Sequence, residues 1–460
     1  MTARTGRTPS SSRIPGRIGL PGSVAAAALA VLLAGCSIVQ PGVRPPSPSA
    51  TSTTSGGQSR PPAAPVTEPA PIPDGDPLLK ALAKVSAGGV GISAVGGIDP
   101  APGRTLASRG DQPLIPASTM KVLTGLVAID TIGADTRLTT SVVAPEPGRL
   151  VLVGGGDPLL TDKQSKSAAK AASLQALAEQ TVAALKQAGV AEVRLGYDTS
   201  LFAGPGWHPS WKKDWQVFTP RVGALSINGG LANQWQAHAD PAKVAAEALA
   251  ARLEAAGVKV TKVAADQAPA GAQQVASVSS APLAEVVGYV LRVSDNHGTE
   301  VLGRQIALAT GGNPSFEGGT KAVTTWLKAH ELWADGMRID DTSGLSHKSR
   351  VSPSVLAQTF ALVLVTPRWA ALASGLPVAG VSGTLKDRFD DPAEQAGRNV
   401  VHAKTGTLQG VATLAGYVTT KDGAVLTFAA MANEAGRDSA YNWLDRTATV
   451  LAKCGCRAGS

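Results

Sequence analysis

Cysteine is nearly absent: the 460 residues hold three, Cys36, Cys454 and Cys456. That excludes a disulfide scaffold. Cys454 and Cys456 flank one glycine, so a bridge between them is tight against the usual Cα separation of about 4.4–6.8 Å. The spacing leaves two readings, a strained tail bridge or two free thiols. Charge is also scarce, 17% of residues against roughly 25% in an average globular chain. With 43% hydrophobic residues, wholesale disorder is nonetheless excluded. Past the N-terminus no run reaches the roughly 18 apolar residues of a membrane span, which excludes a polytopic membrane protein. The six histidines (208, 238, 297, 330, 347 and 402) contain no His-Glu-x-x-His pair, which argues against a zinc peptidase. Aromatics make up 4%, and no block of Lys and Arg accompanies the formal charge of +8. Nucleic acid is therefore not an expected partner. What the chain does have is apolar material for a sizeable core, and length for two or three domains at roughly 100–200 residues each.

Four of the eight excess charges, Arg4, Arg7, Arg13 and Arg17, precede an apolar stretch from Val24 to Ala34. That stretch is too short to span a bilayer and has the size of a secretion h-region. It ends in Leu33-Ala34-Gly35-Cys36, which resembles a bacterial lipobox, where cleavage before the cysteine frees it for lipid attachment. The expectation is a signal peptide over 1–35 and a lipid-anchored Pro/Ser/Thr-rich linker over 36–77. The simpler alternative is an ordinary cleaved signal with an incidental Cys36. Either way the mature protein is expected in the cell envelope; with lipidation, it sits on the outer face of the cytoplasmic membrane, touching it only through the anchor. The linker has almost no large apolar side chain to offset chain entropy, so it reads as a tether.

Beyond the linker the pattern is mixed. Apolar Met120, Val122, Leu123, Leu126 and Val127 recur at helical spacing within Ser118 to Ile132. Ala-rich helices are expected over Ala168 to Gln187 and Ala242 to Ala256, and further helices over Leu283 to Val293 and about Gly298 to Ala309. Three adjacent strands are expected near the end, Val400 to Thr405, Val411 to Thr419 and Ala424 to Ala430. Helices and strands do not alternate strictly, so the expected class is α+β.

Three short motifs occur in order: Ser118-Thr119-Met120-Lys121, Ser294-Asp295-Asn296 and Lys404-Thr405-Gly406. Ser and Lys at i and i+3 share one helix face. The serine then lies at the helix N-terminus, where the dipole favours a developing anion. Ser-x-x-Lys alone is weak and recurs at Ser167–Lys170 and Ser210–Lys213. The ordered trio is specific, being the mark of penicillin-binding proteins and class A β-lactamases.

At these residues the chain resembles the D-alanyl-D-alanine carboxypeptidases/endopeptidases of the low-molecular-mass class C penicillin-binding proteins, peptidase family S13. Leu150 to Thr161, Asp341 to Pro353, Leu376 to Arg388 and His402 to Leu408 are similar to its blocks, and the likeness covers roughly 78–450. It implies a β-lactamase/transpeptidase-like domain, an antiparallel sheet with helices, over 78–135 and 282–457. An α/β module over 136–281 would be inserted between the first two motifs, which lie 176 residues apart.

The resemblance also implies roles. Ser118 is the nucleophile, Lys121 its general base, Ser294 a relay to the leaving amine, and Asn296 a holder of the substrate amide that also orients Lys121. Lys404 attracts the terminal carboxylate, and its charge is expected to help lower the Lys121 pKa. Thr405, Gly406, Thr407 and Leu408 line the substrate strand, with the backbone N–H groups of Ser118 and Thr407 as the oxyanion hole. Arg350 is placed against a diaminopimelate side chain, with surface solvation as the alternative.

The expected substrates are peptidoglycan stem peptides, with β-lactams as covalent inhibitors and neither cofactor nor metal. The rivals are a β-lactamase and a catalytically inactive cell-wall-binding lipoprotein. Fast deacylation in class A enzymes uses a Glu four residues before an Asn, and no Asn here has one. Asp295 is expected to shape a turn, and Trp207, Trp211 and Trp215 to pack rather than stack on sugar.

Overall fold

A computed structural model describes residues 72–87, 90–99, 104–164, 172–233 and 236–455. The signal peptide, Cys36, most of the linker, the Ser167–Lys170 motif and Cys456 lie outside the described residues.

Two five-stranded sheets organise the chain. The first has the order β10-β11-β12-β1-β2, built from β1 (Val90–Asp99), β2 (Arg104–Arg109), β10 (Val401–Leu408), β11 (Val411–Thr419) and β12 (Val425–Ala435). All its pairings are antiparallel. Burial on both faces follows the strand period of two. Ala415, Ala429 and Met431 join a helical core that includes α2 (Met120–Ile132), α5 (Leu283–Val293), α6 (Asn296–Ala309), α7 (Phe316–Ala329), α8 (Pro353–Val365) and α9 (Ala370–Ser374). Their sequence neighbours Leu414, Phe428, Ala430 and Ala432 instead meet α1 (Gly75–Ala83) and α10 (Arg437–Lys453). The sheet is a middle layer between helices, an α+β arrangement.

The second sheet has the order β8-β5-β4-β3-β9. Its strands are β3 (Thr139–Glu146), β4 (Arg149–Val153), β5 (Glu192–Asp198), β8 (Lys259–Ala265) and β9 (Gln273–Ser279). It is mixed: β5 pairs in parallel with β4 and β8, the remaining pairs being antiparallel. Both parallel steps need a crossover, supplied by α3 (Leu174–Gln187) and α4 (Pro241–Ala255), which pack into its core. Ser173 caps α3 by accepting from the Ala176 N–H, and Asp240 caps α4, with Pro241 at its first position. Between β5 and α4 a long irregular segment, ending in a small ribbon of β6 (Leu231–Asn233) and β7 (Gln236–Ala237), carries Trp211 and Trp215.

Two differences from expectation concern the site. Residues 117–119 form a 3₁₀ turn, and the α-helix begins at Met120. The third motif's strand runs on to Leu408.

Candidate active site

Ser118 lies in that turn. Ala117 has φ 46°, a left-handed conformation uncommon for a residue with a Cβ and a strain often stored at functional sites. The surroundings hold it there. The Pro116 carbonyl accepts from Thr119 N (3.3 Å), Thr119 Oγ1 (2.7 Å) and Thr413 Oγ1 (2.8 Å). The last bond pins the turn to β11.

Lys121 is fully buried one helical turn on. Its ammonium donates to Ser118 Oγ (2.8 Å), Asn296 Oδ1 (2.6 Å) and the Ser343 carbonyl (2.7 Å). All three N–H donors are used. Burial lowers its pKa to about 8, while Asp341, Glu300 and Asp295 oppose the shift. Burial and then the nearby charge of Lys121 hold the Lys404 pKa well below the ordinary value, and repulsion between two such ammonium groups is mutual. Lys404 donates to Ser294 Oγ (2.9 Å) and to the Thr405 carbonyl (2.6 Å).

The second motif is a sharp link between α5 and α6. Ser294 ends α5 at φ 61° and ψ 41°, which turns its hydroxyl toward Lys404. Asp295 caps α6 through the Gly298 N–H (3.1 Å), the structural part expected of it. Asn296 then begins α6 with its Oδ1 on Lys121 and its Nδ2 donating to the Phe218 carbonyl (2.9 Å).

The Ser343 carbonyl is a partner that sequence reasoning missed. It belongs to a buried loop, Asp341 to Ser346, held by two carboxylates. Glu300 accepts from Ser343 N (2.8 Å) and Thr342 Oγ1 (2.7 Å). Asp341 accepts from Gly344 N (2.9 Å), Ser346 N (2.7 Å) and Trp211 Nε1 (2.8 Å). Burial, then the nearby Glu300, raises the Asp341 pKa to about 7. Gly344 is required at φ 78°, since a Cβ there would lie 1.9 Å from the Ala117 carbonyl oxygen.

A cavity of about 610 Å³ opens beside Ser118, lined by Asn296, Thr407, Leu408, Trp215 and Phe218 among others. Trp211 and Trp207 pack edge to face, as expected, but Trp215 reaches the cavity. Phe218, 61% exposed, does too. The Trp spacing singled out Trp215 but pointed to packing, and no sequence signal marked Phe218, which comes from irregular backbone. Thr405 shares a hydrogen bond with Thr384 Oγ1 (2.8 Å), and Thr407 with Tyr441 Oη (2.7 Å). Arg350 does not line this cavity. It lines an adjoining one of about 480 Å³ and donates to the carbonyls of His347 (2.7 Å) and Ser349 (2.8 Å). His347, Gln409, Gly410 and Val411 border both. His402 stacks on Tyr417 (4.7 Å), a packing role.

A serine tied to a buried lysine, a second serine–lysine pair beside it and a sheet edge along the cavity define an active-site serine enzyme of the penicillin-binding and β-lactamase class. Comparison with known proteins narrows the class. The family model for "D-Ala-D-Ala carboxypeptidase 3 (S13) family" matches residues 102–234 and 223–454. A carboxypeptidase of Mycobacterium tuberculosis is 36% identical over 411 residues, covering 85% of this chain and 87% of that protein. Carboxypeptidase DacB of Mycolicibacterium smegmatis is 36% identical over 364 residues, 75% of this chain and 77% of its own. The crystal structure of penicillin binding protein 4 from Haemophilus influenzae superposes with a TM-score of 0.66 at 21% identity, covering 82% of this chain and 98% of that one. The chain belongs to the D-Ala-D-Ala carboxypeptidase 3 (S13) family.

Proposed function

We propose that this protein is a serine-type D-Ala-D-Ala carboxypeptidase that trims peptidoglycan stem peptides through an acyl-enzyme at Ser118, and that β-lactams acylate the same serine. Family membership supports the activity, and one observation carries the assignment of residues. Lys121 bridges Ser118 Oγ and Asn296 Oδ1 while Lys404 holds Ser294 Oγ, so the first motif is tied to the second and the second to the third in one cluster.

The chemistry follows from the geometry. Neutral Lys121 takes the Ser118 proton as Oγ attacks the penultimate D-Ala carbonyl. The oxyanion faces the backbone N–H groups of Ser118 and Thr407, each such donor being worth roughly 10²–10³ in rate. As the C–N bond breaks, the proton that Lys121 took passes through Ser294 to the departing D-Ala amine, which leaves Lys121 neutral again. Water then gives a proton to Lys121 as it attacks the ester carbonyl, and Lys121 returns that proton to Ser118 Oγ as the acyl bond breaks. Lys404, Thr405 and Thr407 meet the terminal carboxylate, while Gly406 lets the strand lie close to the serine. Leu408 extends the apolar side of the cleft. Arg350, from its adjoining cavity, meets the stem-peptide side chain.

Incubation with purified muropeptides and mass analysis of the products tests the reading. Loss of one D-Ala is the expected result. Cleavage of cross-linked dimers would extend the activity to an endopeptidase, and unchanged substrate would overturn the assignment.

The same proposal places the enzyme outside the cytoplasmic membrane. The basic and apolar N-terminal pattern and the lipobox-like Leu33-Ala34-Gly35-Cys36 support a cleaved signal, a lipidated Cys36 and a tether that ends ahead of α1, a little short of the expected residue 77. The catalytic part would comprise 78–135 and 282–457, with 136–281 as the insertion. Labelling with radioactive palmitate that disappears in Cys36→Ala is the expected result for the anchor.

A further inference from the structure

The strand beside Ser118 presents two hydroxyls, and both are gripped from behind by one segment. Thr384 bonds Thr405 directly at 2.8 Å. Four residues later, Arg388 reaches the second hydroxyl at one remove. Its guanidinium lies 4.5 Å from the Tyr441 ring, and Tyr441 Oη bonds Thr407 Oγ1 at 2.7 Å. Arg388 is itself fixed. It makes a two-pronged pair with Asp445, Nε at 3.0 Å and Nη2 at 2.5 Å. The pair is mostly shielded from water, 13% and 6% exposed. Tyr441 and Asp445 are four residues apart on α10, so they share one helix face. A second guanidinium, Arg437, stands 5.5 Å from the same ring.

We propose that Tyr441 is a positioning residue that aims the Thr407 hydroxyl at the substrate's terminal carboxylate, an inference that rests on the carboxypeptidase reading above. The reason is directional. A phenol is a stronger hydrogen-bond donor than an alkyl alcohol, so Tyr441 donates and Thr407 accepts. The Thr407 proton is then left to point into the cavity, where only an acceptor can use it. A carboxylate is the strongest acceptor a peptide terminus offers, and bonds in such a chain reinforce one another. Without Tyr441, the exposed Thr407 hydroxyl can turn and offer its oxygen instead. Arg388 and Asp445 act one step further back by holding the ring in register with the strand.

Tyr441→Phe removes the hydroxyl and keeps the ring. The assay compares a D-Ala-D-Ala peptide with a free terminal carboxylate and the same peptide ending in the amide. The expected result is a fall of about tenfold in kcat/KM for the acid, carried by KM. Turnover of the amide should be nearly unchanged, so the acid-to-amide ratio falls about tenfold. Should Tyr441→Phe prove too unstable to assay, Arg388→Lys serves. It keeps the charge, loses the two-pronged clamp, and should shift the ratio the same way. An unchanged ratio, or equal losses on both substrates, would overturn the proposal. Wild-type enzyme that cleaves neither peptide would instead overturn the carboxypeptidase reading itself.

Discussion

Gly406 passes so close to Ser118 that a Cβ built on the glycine would sit 2.9 Å from the Ser118 backbone nitrogen. The same atom would also lie 2.8 Å from the Pro116 carbonyl oxygen and 2.1 Å from Thr413 Oγ1. These are the groups that pin the nucleophile's turn to β11. Gly406→Ala should therefore push the turn and the strand apart. A displacement of about 1 Å at a reacting centre can cost roughly 10²-fold. The expected outcome is a loss of that order in the rate of β-lactam acylation, measured by stopped flow.

Ser118→Ala removes the hydroxyl that is hydrogen-bonded to Lys121. It should abolish both peptide hydrolysis and covalent labelling by a fluorescent penicillin. Persistent labelling would assign the nucleophile elsewhere.

Lys121, with a pKa of about 8, must be neutral to act as base. Below that pH it is protonated and cannot accept the serine proton. The kcat/KM for peptide should rise about tenfold per pH unit up to about 8 and then level off. A profile flat between pH 6 and 8 would remove Lys121 from the role.

Arg304 is the largest fully buried side chain among the described residues, and it clasps the aromatic segment from below. It donates to the carbonyls of Ala203 (3.1 Å) and Pro205 (2.7 Å) and lies 4.5 Å from the Phe316 ring. It also belongs to α6, the helix that begins with Asn296. Arg304→Met should leave both carbonyls unpaired and loosen the wall bearing Trp215 and Phe218. Re-ordering that wall on binding should raise KM by up to about tenfold. Limited proteolysis within 199–222 should accelerate as well; unchanged cleavage there would place the wall's rigidity elsewhere.

The sequence made the motif residues legible because each acts through a local pattern. Ser118 and Lys121 share one turn of helix, and Lys404 to Thr407 lie on a regular strand. The helices over Leu283–Val293 and the strand Val411–Thr419 appear where their periodicity places them. Other parts left no local trace. α8 is apolar nearly all round, so it has no amphipathic period to read. α7 contains a Gly-Gly pair and adjacent threonines, poor helix formers held in place by packing. β9 is polar at most positions along the edge of its sheet. In the site, the carbonyls of Ser343 and Phe218 act through backbone, which any residue type supplies. Tyr441 reaches the strand only because α10 packs across the sheet. How far the Lys121 pKa falls also depends on where the three carboxylates lie, which the sequence does not state.

The first and last strands of the second sheet in chain order, β3 and β9, lie side by side. Leu138 and Ser280 exchange backbone hydrogen bonds, directly and through the Ser280 hydroxyl, and β3 and β9 continue as an antiparallel pair. Whatever lies between them is a detour that leaves and returns at one doorway. The detour is nonetheless tied to the helices it leaves. The Phe218 carbonyl accepts from Asn296, Trp211 donates to Asp341, and Arg304 holds the Ala203 and Pro205 carbonyls, so removing it would strip the catalytic helix α6 and the Asp341 loop of partners.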